Sequence, residues 1–401
     1  MTVQNKTMPA LKLYPDPLEL RFEIEPNQST ITRTRGLCGS DLHAYRGLES
    51  FDTPYITGHE LVGIVVSLGE SFRNAAAGRP ELYSTLKVGD KVVSPFTSSC
   101  GECRPCRIGF TARCEHSLLF GSPNLPGAQA QYIRVPHAGG TLFRIPQDES
   151  ILGNEPVARI GTSDDSLILL ADILPTGYFA ALQAIQHPNL AYAFARKSFP
   201  VIPNFVNAFV TGGESIKVQE SDAKLVFAVV GLGPVGLCAL VSLVELLGLS
   251  GTSNFAIVAV DPNEARRAKA ESILGALGVV SLEDASGVSK ELSGGLGCDA
   301  VLEPARDDIG MIGVHTHPQF PLNGDALYSK NVSLAFGRCP VRSIFPYCIE
   351  LLMSRQDIFS VGGVAGLIER IIPFDESSVK EAYRMFNEGK CGKVLFRMPS
   401  D

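Results

Sequence analysis

Four cysteines, Cys100, Cys103, Cys106 and Cys114, fall within fifteen residues in the spacing C-x2-C-x2-C-x7-C. Two-residue gaps let successive thiolates turn toward one centre. Four sulfurs then close a tetrahedral shell, the arrangement that holds a structural zinc ion. Gly101, Pro105 and Gly109 supply the bends. Iron–sulfur clusters use similar spacings, but their run ends in Cys-Pro, and here Glu115 follows Cys114. The spacing favours zinc, in a lobe over roughly residues 95–118.

A second constellation lies upstream, in Cys38-Gly39-Ser40-Asp41-Leu42-His43 and Gly58-His59-Glu60. Cys38 and His59 offer one sulfur and one nitrogen. A catalytic zinc takes three protein ligands and keeps one position open, so a third ligand has to come from later in the chain.

The third signal is Gly231-Leu232-Gly233-Pro234-Val235-Gly236, a G-x-G-x-x-G run. It follows the apolar stretch Leu225–Val230 and opens a helical pattern, the setting in which such glycines bind a dinucleotide. Gly231 permits the tight turn, Gly233 lets backbone approach a pyrophosphate, and Gly236 allows close helix packing. Pro234 and Val235 begin the helix whose N-terminus faces the phosphates. Asp261 ends the next apolar run, 25 residues after Gly236. A carboxylate there accepts both ribose hydroxyls and repels a 2′-phosphate, which favours NAD over NADP. Arg266 and Arg267 follow, as a solvated helix face or against the adenine.

The elements that must position these groups have two textures. Up to about Asp172 the chain is rich in Gly, Pro and short apolar runs, with strands expected over Leu61–Leu68 and Val88–Val93 and a turn at Gly89-Asp90. From Leu174 onward it changes. Gly177–Gln186 has helical spacing, Leu225–Val230 reads as a buried parallel strand, Val235–Leu247 as a helix, and Ala256–Val260 as a second buried strand. That order is a βαβ unit on a parallel sheet. Residues 71–86 and 188–222 show no period and read as loops or insertions.

Composition sets the outer bounds. The chain has 401 residues, 45% hydrophobic and 19% charged, which suits two or three soluble domains. A net charge of -7 without a long basic run disfavours nucleic acid and anionic membranes as partners. No run approaches the ~20 apolar residues of a membrane span, and Met1–Pro9 lacks an apolar signal core. A cytoplasmic location is expected, with the ten cysteines as thiols or metal ligands.

Taken together and in this order, the Cys38–His43 and Gly58-His59-Glu60 motifs, the four-cysteine lobe and the glycine turn resemble the medium-chain zinc-dependent alcohol dehydrogenases, from Gly36 to Lys393. The resemblance implies an α/β plus all-β architecture. A GroES-like β-barrel catalytic domain would occupy 1–174 and 343–401, and a Rossmann doubly wound parallel-sheet coenzyme domain 175–342. It also implies two zinc ions and one NAD per chain, a small-molecule alcohol or carbonyl substrate, and a homodimer or homotetramer. The family's third ligand sits just before the coenzyme domain, where this chain has Ala171-Asp172-Ile173. Asp172 is therefore the expected ligand, with Glu155 the weaker candidate and a helix N-cap the alternative role for Asp172. An aspartate there resembles the fungal and formaldehyde-dehydrogenase-like branches. By the same resemblance Glu60 lies beside the metal, Asp41 holds the zinc-side histidine, Ser40 touches the substrate oxygen and His43 passes the proton outward through the cofactor ribose. Val314 and Phe336 fall on the cofactor side, Lys393 meets the pyrophosphate, and His315 and His317 line the cofactor cleft or cap a strand end.

Two departures accompany the resemblance. The linker Ala305–Met311 is too short for a typical helix, and the run Glu25–Arg35 is shorter than the family's strand pair. Beside a zinc-dependent NAD alcohol dehydrogenase they leave a non-catalytic zinc protein with an impaired cofactor site. An aldehyde dismutase with tightly held NAD is a further alternative.

Overall fold

The computed structural model describes residues 7–15, 18–26, 30–69, 72, 86–145, 151–152, 155–156, 164–195, 224–274, 278–303, 324–329, 332–363 and 366–397. The chain divides into one unit of Met1–Pro175 with Arg338–Asp401 and a second of Thr176–Gly337. The second boundary falls before the expected 343. The helix Val341–Ser354 is anchored in the first unit, where the Ser343 hydroxyl donates to the Gly109 carbonyl at 2.6 Å.

The first unit is built from short, mostly antiparallel strands. β1 (Thr7–Pro15) and β2 (Leu18–Pro26) form a hairpin, and β4 (Tyr55–Ile56) pairs with β1. A larger sheet runs in the order β15-β16-β3-β5-β6-β8, with β7 (Tyr132–Ile133) also on β3. Its strands are β3 (Thr30–Leu37), β5 (Leu61–Val65), β6 (Lys91–Ser94), β8 (Phe143–Ile145), β15 (Ile368–Pro373) and β16 (Lys393–Arg397). β9 (Ile151–Leu152) and β10 (Glu155–Pro156) make a separate small ladder. β16 pairs with β3 so that Val394 faces Leu37 and Leu395 faces Gly36, which brings distant parts of the chain together beside Cys38.

β6 begins at Lys91, not Val88. Gly89 takes φ +98°, and the Asp90 carboxylate accepts the Lys87 N–H at 2.7 Å, so the turn takes up the residues assigned to the strand. β5 likewise stops at Val65, where Val65 O accepts the Gly89 N–H. The core joins Leu11, Leu13, Leu37, Val394 and Phe396 to Val379, Ala382 and Tyr383. The last three lie at helical spacing on one face of the helix Glu376–Asn387. Asp375 caps that helix by accepting the Ser378 N–H at 2.9 Å.

In the second unit four parallel strands run β13-β12-β11-β14: β11 (Leu225–Val230), β12 (Phe255–Val260), β13 (Val279–Val280) and β14 (Ala300–Leu302). Leu225 to Val229 are all buried, as a continuously apolar strand covered on both faces must be. Val226, Ala228, Val258 and Val260 pack with Val288 and Leu292. Leu237, Leu240 and Val241 are buried on the helix Pro234–Leu249. Gly177 lets the helix Ile173–Ile185 meet that helix directly, since a Cβ there would stand 2.5 Å from the Ala239 nitrogen. The shortened stretch after Pro304, with Val314, His315 and His317, lies outside the described residues. Among the described residues no single helix is long and apolar enough to cross a membrane.

Backbone packs closely on backbone where residues 127–129 run against 56–58. The Gly127 N–H donates to the Ile56 carbonyl at 2.7 Å, and a Cβ on Gly127 would stand 2.1 Å from the Thr57 carbonyl oxygen. Backbone cannot yield as a side-chain tip can. Gly127→Ala is expected to cost ~1–3 kcal/mol of stability, read as a lower denaturation midpoint.

Candidate active site and metal centres

Cys38 follows the end of β3, His59 and Glu60 stand just before β5, and Asp172 sits between a 3-10 turn (Ile168–Ala171) and the helix Ile173–Ile185. Folding brings one ligand atom from each of these four residues within 4.8 Å of one another. The Asp172 Oδ2 lies 3.5 Å from the Cys38 Sγ and 3.2 Å from the His59 Nε2. Its Oδ2 faces both the cysteine and the histidine. The side chain of the weaker candidate, Glu155, lies outside the description.

Asp41 fixes this arrangement from behind. Its Oδ1 is 3.1 Å from the His59 Nδ1, while its Oδ2 accepts the Cys38 N–H at 3.0 Å. One carboxylate thus orients two ligands and leaves the His59 Nε2 facing inward. Ser40 precedes the short helix Asp41–Tyr45 but makes no side-chain cap; its hydroxyl lies 3.4 Å from the His59 Nε2. His43, on that helix, is buried with its Nδ1 3.6 Å from Glu49.

Glu60 and Lys393 form a fully buried ion pair through the Glu60 Oε2. Lys393 was expected at the pyrophosphate; its ammonium is instead enclosed against this carboxylate. The partnership joins positions 333 residues apart, and no spacing rule points to it. Breaking a buried pair by removing one partner costs on the order of 3–5 kcal/mol. The other Glu60 oxygen, Oε1, is buried and has no hydrogen bond among the described residues.

The electrostatics of the cluster fit a cation. Burial pushes the Cys38 thiol up, and the Asp172 and Glu60 carboxylates push it further. Burial also raises Glu60, against the pull of Lys393 and His59. For His59 burial opposes the charge, yet Asp41 and Asp172 outweigh it and hold the imidazole well above its ordinary range. A thiol, an imidazole and two carboxylates, one of them with an unsatisfied oxygen, form the donor set of a zinc-type site, and binding there must displace protons.

Cys100, Cys103, Cys106 and Cys114 also bring their sulfurs within 4.8 Å of one another. None of the ten cysteines forms a disulfide. Backbone N–H groups point at the sulfurs: Cys100 to Cys114 at 3.2 Å, Cys103 to Cys100 at 3.3 Å and His116 to Cys114 at 3.4 Å. Burial opposes ionisation of Cys103, but the N–H groups of Glu115 and Cys106 and the neighbouring thiols bring it down to about 7. Gly101 and Gly109 take φ +78° and +91°, which makes the tight loop.

In the second unit, Gly231 takes φ +89° and Gly233 caps the helix that Pro234 begins. Val235 and Gly236 complete its first turn, with Gly236 buried. Asp261 is buried at the end of β12. Its Oδ2 accepts the Leu232 N–H at 2.7 Å, its Oδ1 accepts the Asn263 N–H at 2.8 Å, and the Arg266 Nη1 stands 3.6 Å from Oδ2. Gly231, Gly233, Asp261, Pro262, Arg266 and Leu282 line a recess there. Arg267 instead donates to the Asp261 and Pro262 carbonyls at 2.8 and 2.9 Å. Phe336 is 46% exposed in an irregular stretch before Arg338.

An alcohol dehydrogenase GroES-like domain matches residues 28–147. Over 379 residues the chain is 35% identical to a zinc-type alcohol dehydrogenase B of Aspergillus flavus, covering 90% of this chain and 73% of that protein. A glutathione-independent formaldehyde dehydrogenase of Pseudomonas aeruginosa is 32% identical over 157 residues, 37% of this chain and 34% of its own length. An alcohol dehydrogenase from Thermus sp. ATN1 shares the fold, with a TM-score of 0.69 at 24% identity over 98% of this chain and 100% of that one. The chain belongs to the zinc-dependent medium-chain alcohol dehydrogenases, oxidoreductases that join a GroES-like to a Rossmann domain.

The two ligand clusters should separate under mutation. Cys38→Ser is expected to lose one zinc per chain by elemental analysis with the thermal midpoint nearly unchanged. Cys103→Ser is expected to lose the other zinc and to lower the midpoint, because a closed four-ligand site contributes folding energy. An unchanged midpoint and zinc content in Cys103→Ser would refute the structural role of the four-cysteine lobe.

Proposed function

We propose that the chain is an NAD-dependent zinc alcohol dehydrogenase that interconverts a small alcohol and its aldehyde or ketone. The observation that carries this reading is the convergence of Cys38, His59 and Asp172 with the Ser40 hydroxyl beside them. Bound zinc would supply a Lewis acid that lowers the pKa of an alcohol, and bound NAD would supply the hydride acceptor.

The rest is the work of the chain. Cys38, His59 and Asp172 hold the metal, with Asp41 orienting the first two. Ser40 accepts the hydroxyl proton of the substrate while releasing its own, and His43, as general base, takes up the released proton and passes it outward. Glu60, balanced by Lys393, is a fourth ligand, a carboxylate, available while substrate is absent. Cys100, Cys103, Cys106 and Cys114 would hold a second zinc ion, which would fix their loop. Gly231, Gly233 and the first turn of the helix Pro234–Leu249 receive the pyrophosphate. Asp261, with Arg266 beside it, takes the adenosine ribose and disfavours a 2′-phosphate.

Absorbance at 340 nm with NAD and a panel of primary and secondary alcohols tests the reading. Turnover is expected, and a zinc chelator is expected to abolish it. Full zinc occupancy without NAD binding would instead select the non-catalytic alternative. Asp261→Asn keeps one oxygen acceptor and removes the charge. It should raise the KM for NAD about tenfold, on the order of one charged hydrogen bond, while leaving zinc content and kcat near wild type. An equal KM would exclude Asp261 from the ribose.

A further inference from the structure

Gln129 is fully buried among polar groups below the Cys38–His59 pair, and no role assigned above uses it. Its Oε1 accepts two hydroxyls, from Thr57 Oγ1 at 2.6 Å and Tyr383 OH at 2.7 Å. Its Nε2 donates to the Gly36 carbonyl at 3.4 Å. Its backbone N–H donates to the Thr57 carbonyl at 2.9 Å, and its carbonyl accepts the Leu11 N–H at 2.9 Å. Two of these partners belong to segments that carry part of the candidate metal centre. Thr57 stands two residues before His59, and Gly36 two before Cys38. The Tyr383 ring lies 5.4 Å, centroid to centroid, from that of Tyr45, which ends the short helix begun by Asp41.

The contact with Gly58 is equally close. Gly58 takes φ +86°, and a Cβ there would stand 2.6 Å from the Gln129 Cγ. The Gln129 side chain therefore lies on the backbone turn that aims His59. Both its acceptor and its donor are engaged, in different segments.

We propose that Gln129 is a positioning residue that sets the separation and aim of Cys38 and His59. The inference rests on the reading of this centre as a metal site. An amide suits the task because Oε1 can hold two hydroxyl donors while Nε2 holds a carbonyl, and no net charge is buried. A carboxylate would face the Gly36 carbonyl without a proton to offer unless it were protonated. An aliphatic side chain would take this acceptor from the Tyr383 hydroxyl and leave the Thr57 hydroxyl only the Leu11 carbonyl, at 3.4 Å.

The test uses the full chain with cobalt replacing zinc. The control is Cys38→Ser, which should remove the thiolate-to-cobalt band of this centre; if wild type has no Cys38-dependent band, the metal-site reading itself falls. Gln129→Met keeps the length of the side chain and removes its hydrogen bonds. It is expected to shift that band and to speed chelator-driven loss of the centre's metal by about 10–100-fold, the usual effect of losing a residue that orients ligands. Release from the four-cysteine lobe should stay at the wild-type rate. Adding Thr57→Val and Tyr383→Phe to Gln129→Met removes the stranded hydroxyls, so the thermal midpoint should recover while band and release rate stay altered. If Gln129→Met does not fold, Tyr383→Phe carries the test, with a smaller change in the same direction. A wild-type band and release rate in the folded triple variant, or in Tyr383→Phe, would overturn the proposal.

Discussion

The site is governed by charge held away from water. A thiol, an imidazole and two carboxylates offer ligand atoms within 4.8 Å of one another, and three of those four residues are buried. Two like charges 4 Å apart repel by about 4 kcal/mol at an effective dielectric of 20. Lys393 offsets one carboxylate, and the rest of the cluster favours protonation or a cation. A divalent ion turns each repulsion into an attraction. The same concentration of donors that strains the metal-free site makes it selective for a cation, and Asp41 keeps the geometry from relaxing.

That density of donors is possible because backbone comes unusually close to side chains around it. A Cβ on Gly36 would stand 1.8 Å from the Glu60 Oε2, and one on Gly121 would stand 2.8 Å from the Gly58 nitrogen. Glycine here creates room, whereas at Gly101, Gly109 and Gly231 it supplies a turn. The recess beside the glycine turn has a comparable economy. Asp261 holds the Leu232 N–H inside the glycine turn, so one carboxylate shapes the loop and presents a negative edge to the recess.

Much of this was legible in the sequence where spacing encodes geometry directly. The four cysteines lie on one short loop, and the glycines join one strand to one helix, so local order fixes both. Asp172 was reachable by resemblance alone, because it is 113 residues from His59 and no periodicity connects them. The pairing of Lys393 with Glu60 and the junction at Gln129 were not legible. They depend on β16 lying beside β3 and on residues 127–129 running against 56–58, and both are long-range registers. The assignment of Val88 to a strand failed for a local reason. An apolar residue beside Gly-Asp can belong to the turn, and the backbone hydrogen bonds of the turn decide.

The larger sheet of the first unit is also discontinuous in sequence: β15 and β16 complete it from beyond the second unit. During synthesis on the ribosome, residues 176–337 emerge as one contiguous stretch and can collapse as each segment appears. The first unit has to wait. Until residues 368–397 leave the exit tunnel, β3 has an open edge, Glu60 lacks its lysine and Gln129 lacks the tyrosine hydroxyl. A nascent chain stalled after the second unit would hold Cys38 and His59 on a half-built sheet, so the frame around them is completed only in the last steps of translation.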